Sequence, residues 1–209
     1  MTESIKIFAG VVALALLVGA SYFLVQHNER VGNEAGVVKP PEYTNAEFDF
    51  SFIYPSGLEI TEYTDQVITI TDPAQENAGI VDITVEIADT DTSYTDLKEF
   101  IHTRAPLYCE ADGPGGRMSC SKVSREQSFT TATGISGEIF YLELTHRDGD
   151  SATVREAGPF YAFDMSSGIL EADFSALLVR PSKFAEESEM YDRGAQIAND
   201  IVNTLRLGE

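Results

Sequence analysis

The stretch that decides the fold is IVDITVEIAD, residues 80–89. Val81, Ile83, Val85 and Ile87 alternate with Asp82, Thr84 and Glu86. Successive side chains of a strand point to opposite faces, so this period of two puts the aliphatic set on one face and the polar set on the other. That is the pattern of an antiparallel strand with one buried and one wet face. The period then changes. In TSYTDLKEFIHTRAPLY, residues 92–108, Leu97, Phe100 and Ile101 form an apolar stripe at helical spacing. Ser93 with Asp96 makes a start resembling a capping box, and Pro106 marks the stop.

Strand patterns continue outward on both sides. FDFSFIYP, residues 48–55, sets Phe48, Phe50 and Phe52 on one face and ends at Pro55. LEITEY and QVITITD follow as short strands on either side of Thr64-Asp65. Beyond the helix come four long strand patterns: SKVSREQSFTTA, GISGEIFYLELTHR, SATVREAGPFYAFDM and ILEADFSALLVR. Asp148-Gly149-Asp150 between two of them suits a tight hairpin turn. After Pro181 a helical region runs to about Leu207, with Met190, Ile197, Ile201 and Leu205 on one stripe. Strands, one helix, more strands and a closing helix imply an α+β domain, a mainly antiparallel sheet packed by helices.

Ahead of this domain, residues 7–25 (IFAGVVALALLVGASYFLV) carry no charge. As a helix they span roughly 28 Å, close to the hydrocarbon thickness of a bilayer. The expected organisation is a short tail over 1–6, a transmembrane anchor over 7–25, a flexible tether over 26–46 containing Pro40-Pro41, and the α+β domain over 47–209. The competing reading is a signal peptide cut after Ala20, where Val18 and Ala20 satisfy the small-residue rule.

Acidic residues number 34 against 14 basic ones, a net charge of −20. Glu3 and Glu29 offset Lys6 and Arg30, so the excess lies beyond residue 30. Such a domain is repelled by anionic cytoplasmic lipid and is a poor match for nucleic-acid phosphates. It is read as extracytoplasmic.

Three passages carry a family resemblance: FDFSFIYPSGLEI, the VDITVEIAD to LKEFI passage, and the closing AQIANDIVNTLRL. An opening aromatic-x-aromatic strand with a Tyr-Pro-x-Gly turn, and a terminal amphipathic helix, resemble the PsbP-like (Mog1/PsbP) fold. The resemblance covers residues 48–207. Asn203-Thr204 depart from the family's closing phrase. It implies an accessory or interaction protein, often extracytoplasmic and membrane-associated, and transfers no individual functional residue.

Cys109 and Cys120 bracket Gly113, Pro114, Gly115 and Gly116. In an oxidising compartment such a pair closes to a disulfide; in a reducing one they are two structural thiols. Zinc needs about four Cys or His ligands, and only His102 lies close by in sequence. A catalytic thiol needs a base, for which His102 and His146 are the candidates. Asp89, Asp91 and Ser93 match the first oxygen ligands of a calcium loop. Tyr94 then stands at the glycine position and Phe100 at the bidentate-glutamate position, so Asp89, Asp91 and Asp96 are weak metal candidates and a helix-capping turn is the plainer reading. Phe160, Tyr161 and Phe163 read as core and rim, and Arg147 to Ser151 as a hairpin tip. No cofactor motif is present.

The expected function is a membrane-anchored extracytoplasmic accessory or protein-interaction module with an unidentified protein partner. The alternatives are a carrier of a small apolar ligand held between sheet and helix, and a hydrolase whose site has no sequence signature. Carbonate-washed membranes are expected to retain the protein, since a spanning helix is held by apolar burial. Non-reducing peptide mapping of the same sample is expected to yield a Cys109–Cys120 peptide. A soluble chain starting at Ser21 refutes the anchor, and free thiols refute the bond.

Overall fold

The computed structural model describes residues 39–74, 79–88, 94–104, 107, 118–148, 150–166, 174–182 and 189–208. The span expected over residues 7–25 lies outside these. Among the described residues no helix is long and apolar enough to cross a membrane. The chain divides into Met1–Lys39 and Pro40–Glu209, and the second unit holds all described elements.

Its strands are β1 (Glu42–Asn45), β2 (Phe50–Ile53), β3 (Glu59–Thr64), β4 (Val67–Thr71), β5 (Gly79–Ile87), β6 (Met118–Thr130), β7 (Ser136–Asp148), β8 (Ser151–Asp164), β9 (Ser175–Pro181) and β10 (Arg206–Leu207). Its helices are α1 (Leu97–Thr103) and α2 (Glu189–Thr204). Seven strands form one sheet in the order β3-β4-β5-β9-β8-β7-β6, and β1-β2-β10 form a second. Every pairing is antiparallel. The α+β class read from the sequence is therefore the class of the fold.

The alternation in β5 works as its composition dictates. Val81, Ile83 and Val85 are buried in a core with Phe48, Phe50, Phe52, Ile68 and Ile70. Across that core lie Ile197, Ala198, Ile201 and Val202 of α2. On the polar face, Asp82 accepts from Thr69 Oγ1 at 2.9 Å and Ser182 Oγ at 2.8 Å, with Arg180 at 3.4 Å. A second core lies on the opposite face of the large sheet. There Phe100 and Ile101 of α1 pack with Phe140, Leu142, Phe160, Phe174 and Leu178. Phe140 and Phe160 stack with centroids 5.3 Å apart. Strand β9 serves both cores, Leu177 and Val179 in one, Ala176 and Leu178 in the other. That double duty explains its unbroken apolar run.

Several boundaries differ from the sequence reading. The tether was expected to run through Ala46, with the domain starting at residue 47. Instead Glu42–Asn45 is β1, in register with Phe50 to Ile53. A short polar edge strand shows no hydrophobic period, so only its pairing reveals it. The helix start expected at Ser93 falls at Asp96, the N-cap of α1, and Ser93 itself lies outside the described residues. The last long strand begins at Ser175. Arg206 and Leu207 leave the closing helix to pair with Ser51 and Phe50.

The docking of α2 is unusually close at one residue. A Cβ at Gly194 would sit 2.7 Å from the carbonyl oxygen of Ile80. Arg193 beside it reaches Asp72 at 2.5 Å. The Ala74 backbone N–H, and then Arg193, hold the Asp72 carboxyl below its usual range. Gly194→Ala gains up to about 1 kcal/mol of helix propensity but drives a methyl into a backbone oxygen, an overpacking cost of roughly 1–3 kcal/mol. A net loss of about 1–2 kcal/mol in chemical denaturation is expected. An alanine variant as stable as the parent would show that the helix does not lie this close.

Candidate functional site

The seven-residue helix α1 is held from both ends. Asp96 Oδ1 accepts from the Glu99 N–H at 2.9 Å, while Glu99 Oε2 accepts from the Thr95 N–H at 2.7 Å and its hydroxyl at 2.8 Å. These reciprocal bonds satisfy donors that a helix start leaves open. At its other end His102 Nε2 lies 3.0 Å from Glu126 Oε2 on β6, and Arg104 Nε donates to Glu86 Oε1 on β5 at 2.9 Å. The helix is thereby tied down across the sheet.

Beside the start of α1 an open groove of about 580 Å³ runs to the ends of β6, β7 and β8. Asp96, Leu97 and Lys98 form one wall. Ser128 and Thr130, Ser136 and Glu138, and Asp164 form the other. The register explains why they meet: Ser128 lies opposite Glu138, and Thr130 opposite Ser136, so all four share one sheet face. Phe129 and Gly137 also border the groove, between them. The Phe129 ring belongs to the other face, edge-on to Tyr161 at 5.7 Å and Phe163 at 5.6 Å. The groove therefore presents hydroxyls, carboxylates and the Lys98 ammonium beside apolar surface that includes Leu97 and Phe129.

Each carboxylate is oriented by one neighbouring residue. Ser128 Oγ donates to Glu138 Oε1 at 2.7 Å, and Ser166 donates from N and Oγ to Asp164 Oδ1 at 2.8 and 2.5 Å. Asp96 is fixed by its cap. Among the described residues none of the three is in an ion pair. Such an arrangement accepts hydrogen bonds and cationic groups.

The residues singled out by sequence are dispersed. Cys120 lies in β6 opposite Leu144, half-buried against the second core beside Val123. Among the described residues no cysteine is free; Cys109 lies outside them. Asp89 and Asp91 also lie outside. Asp96, the third weak metal candidate, caps α1 through Oδ1. Among the described residues no group of three or more His, Cys, Asp or Glu side chains is placed to hold a metal ion. His102 faces Glu126, and His146 lies on β7 opposite Met118 and Thr153. Asp148 pairs with Ser151 at the expected hairpin tip. Phe160, Tyr161 and Phe163 are core. The groove's Ser128, Ser136, Glu138 and Asp164 were not picked out. Their signal was the polar alternation at the strand ends, which says nothing of what stands opposite.

The fold is similar to the solution structure of cyanobacterial PsbP from Synechocystis sp. PCC 6803, at 13% identity and a TM-score of 0.46, covering 84% of this chain and 96% of that one. It is also similar to a crystal structure of a protein from Bacteroides thetaiotaomicron VPI-5482, at 16% identity and a TM-score of 0.30, covering 82% of this chain and half of that one. The first of these is a PsbP protein, of the family that the sequence distantly resembles. No protein-family model and no curated protein matches the chain.

Under the groove, burial pushes the Tyr161 phenol up to about 12, with Tyr141, Tyr191 and Asp200 adding to it. Burial and the Glu62 carboxylate, 2.7 Å from its hydroxyl, push Tyr43 up to about 12 as well. The unfolded chain ionises its tyrosines near 10, while the folded chain keeps these two neutral. The unfolded state then binds fewer protons, so stability falls as pH rises from about 10 to about 12 and levels off above that. Tyr161→Phe has no proton to lose there. Its denaturation midpoint is expected to fall less steeply over that window than the parent's, and identical slopes would refute the burial of a neutral phenol.

Proposed function

We propose that this chain is a membrane-anchored extracytoplasmic accessory or protein-interaction module, held in the bilayer by residues 7–25 and without catalytic activity of its own. A Cys109–Cys120 disulfide belongs to the same reading. The observation that carries the interaction reading is the contrast between filled interior and open polar groove. Large aromatic and branched side chains occupy the spaces between the large sheet and both helices, where an apolar ligand would lie in the carrier alternative. The groove beside α1 is instead open to the surface and carries hydroxyls and carboxylates that have no ion-pair partner, next to Leu97 and Phe129, a mixed surface that suits contact with another protein.

The deciding experiment is chemical crosslinking of the full chain in its native membranes, followed by affinity capture under denaturing conditions. A discrete protein partner, recovered in fixed ratio and lost when crosslinking is omitted, is the expected result. A co-purifying apolar small molecule in native mass spectrometry, with no protein partner, would replace this reading with the carrier.

A further inference from the structure

We propose that the outer edge of β6 over residues 125–130, together with the groove beside it, takes an extended lysine- or arginine-bearing segment of the partner protein. This rests on the interaction-module reading and names its surface.

Strand β6 ends the seven-strand order, and its ladder partner is β7. In an edge strand alternate residues direct their N–H and C=O groups outward, a template for one more strand. Native edges are commonly blunted by bulges. Here both register shifts lie between Cys120 and Arg125. From Arg125 to Thr130 the ladder against Tyr141 to Ser136 is unbroken. Arg125, Gln127, Ser128 and Thr130 are exposed along it. Arg125 does not repel a cationic visitor at the groove. Its guanidinium lies on the other face, 3.8 Å over the Tyr141 ring and 3.3 Å from Glu156.

Charge decides the occupant. The groove face carries Asp96, Glu138 and Asp164 against one ammonium, Lys98. Glu126 stands on that same face of β6, two residues before Ser128, and its Oε1 is buried without a hydrogen-bond partner. An added strand sends alternate side chains, about 7 Å apart, to the groove face. A basic residue there comes up against Glu126, whose other oxygen holds His102, and at the next groove-facing position a long basic side chain reaches over Ser128 toward Glu138 on β7, with Asp164 one strand further in adding to the field. A second copy of this chain is the wrong occupant, because it would bring the same acidic face and a net charge of −20 against itself.

The test uses the full chain in non-ionic detergent and a labelled short peptide alternating lysine and threonine, followed by fluorescence anisotropy at low ionic strength. Saturable one-to-one binding is expected. The Glu138→Gln/Asp164→Asn variant is expected to bind about tenfold more weakly, each exposed pair contributing modestly. Methylating the peptide's alternate backbone amides keeps its charge but removes its strand donors, and is expected to cost about tenfold as well. Ser128→Lys, at an exposed position, gives a second reading if the double variant fails to fold, and should also weaken binding. Equal binding by the methylated peptide, or no effect of the substitutions, overturns the proposal. So does a dimer of this chain that occupies the edge and that the peptide cannot disperse. Partner capture in native membranes that is unchanged by the Glu138→Gln/Asp164→Asn variant overturns this surface while leaving the interaction module intact.

Discussion

The approach of α2 to the large sheet is the constraint on which the rest depends. At Gly194 the helix backbone lies so close to the Ile80 carbonyl that no side chain fits between them. That closeness lets Ile197, Ala198, Ile201 and Val202 reach the aliphatic face of β5 and β9. It also sets where the chain leaves the helix. Thr204 Oγ1 accepts from the Ile53 N–H at 3.0 Å, the Leu205 carbonyl accepts from Thr133 Oγ1 at 2.6 Å, and the Gly208 N–H donates to the Asp49 carbonyl at 2.6 Å. One helix end thus ties the small sheet and the β6–β7 turn to the same core. That turn separates Thr130 from Ser136, so the position of the groove traces back to the seating of α2.

Charge is distributed unevenly over this frame. The described cations are largely engaged at structural points: Arg193 with Asp72, Arg180 with Asp82, Arg104 with Glu86, Arg206 with Glu42. The partly buried Arg180–Asp82 pair organises the polar face of β5. The exposed pairs are worth little each, about 0–1 kcal/mol. With 14 basic residues against 34 acidic ones, most carboxylates have no cation to pair with. The groove gathers three of these beside hydroxyls, on elements fixed by backbone pairing and by the α1 cap. Their positions are therefore set by the fold and not by one another.

The two edges of the large sheet are managed differently. Strand β3 is six residues long and carries Glu59 and Glu62, and charge on a short edge discourages further pairing. Strand β6 is thirteen residues long, and its register shifts are concentrated in its first half. The half near Cys120 is twisted by these shifts and packed beside the second core. The half ending at Thr130 remains regular, and there the polar groove opens.

Much of the fold was legible in the sequence. A period of two in β5 and in Phe48, Phe50 and Phe52, a period near 3.6 in α1 and α2, and turn residues between the long strands suffice to name elements. Those periods reflect burial, and burial is what a hydrophobic pattern records. The sequence by itself also determined the acidic balance and the uncharged run over residues 7–25. Only the tertiary structure decided what has no periodic signature. Strands β1 and β10 exist because β2 lies between them and pairs with both. Asp96 caps a helix because the backbone turns there and sets its carboxylate on the Glu99 N–H. Ser128, Glu138, Asp164 and Asp96 meet because strand register and the seating of α1 bring distant polar residues to one place. Polar residues at an exposed position are exchangeable as far as local physics is concerned, so their grouping can be read only where the chain has folded.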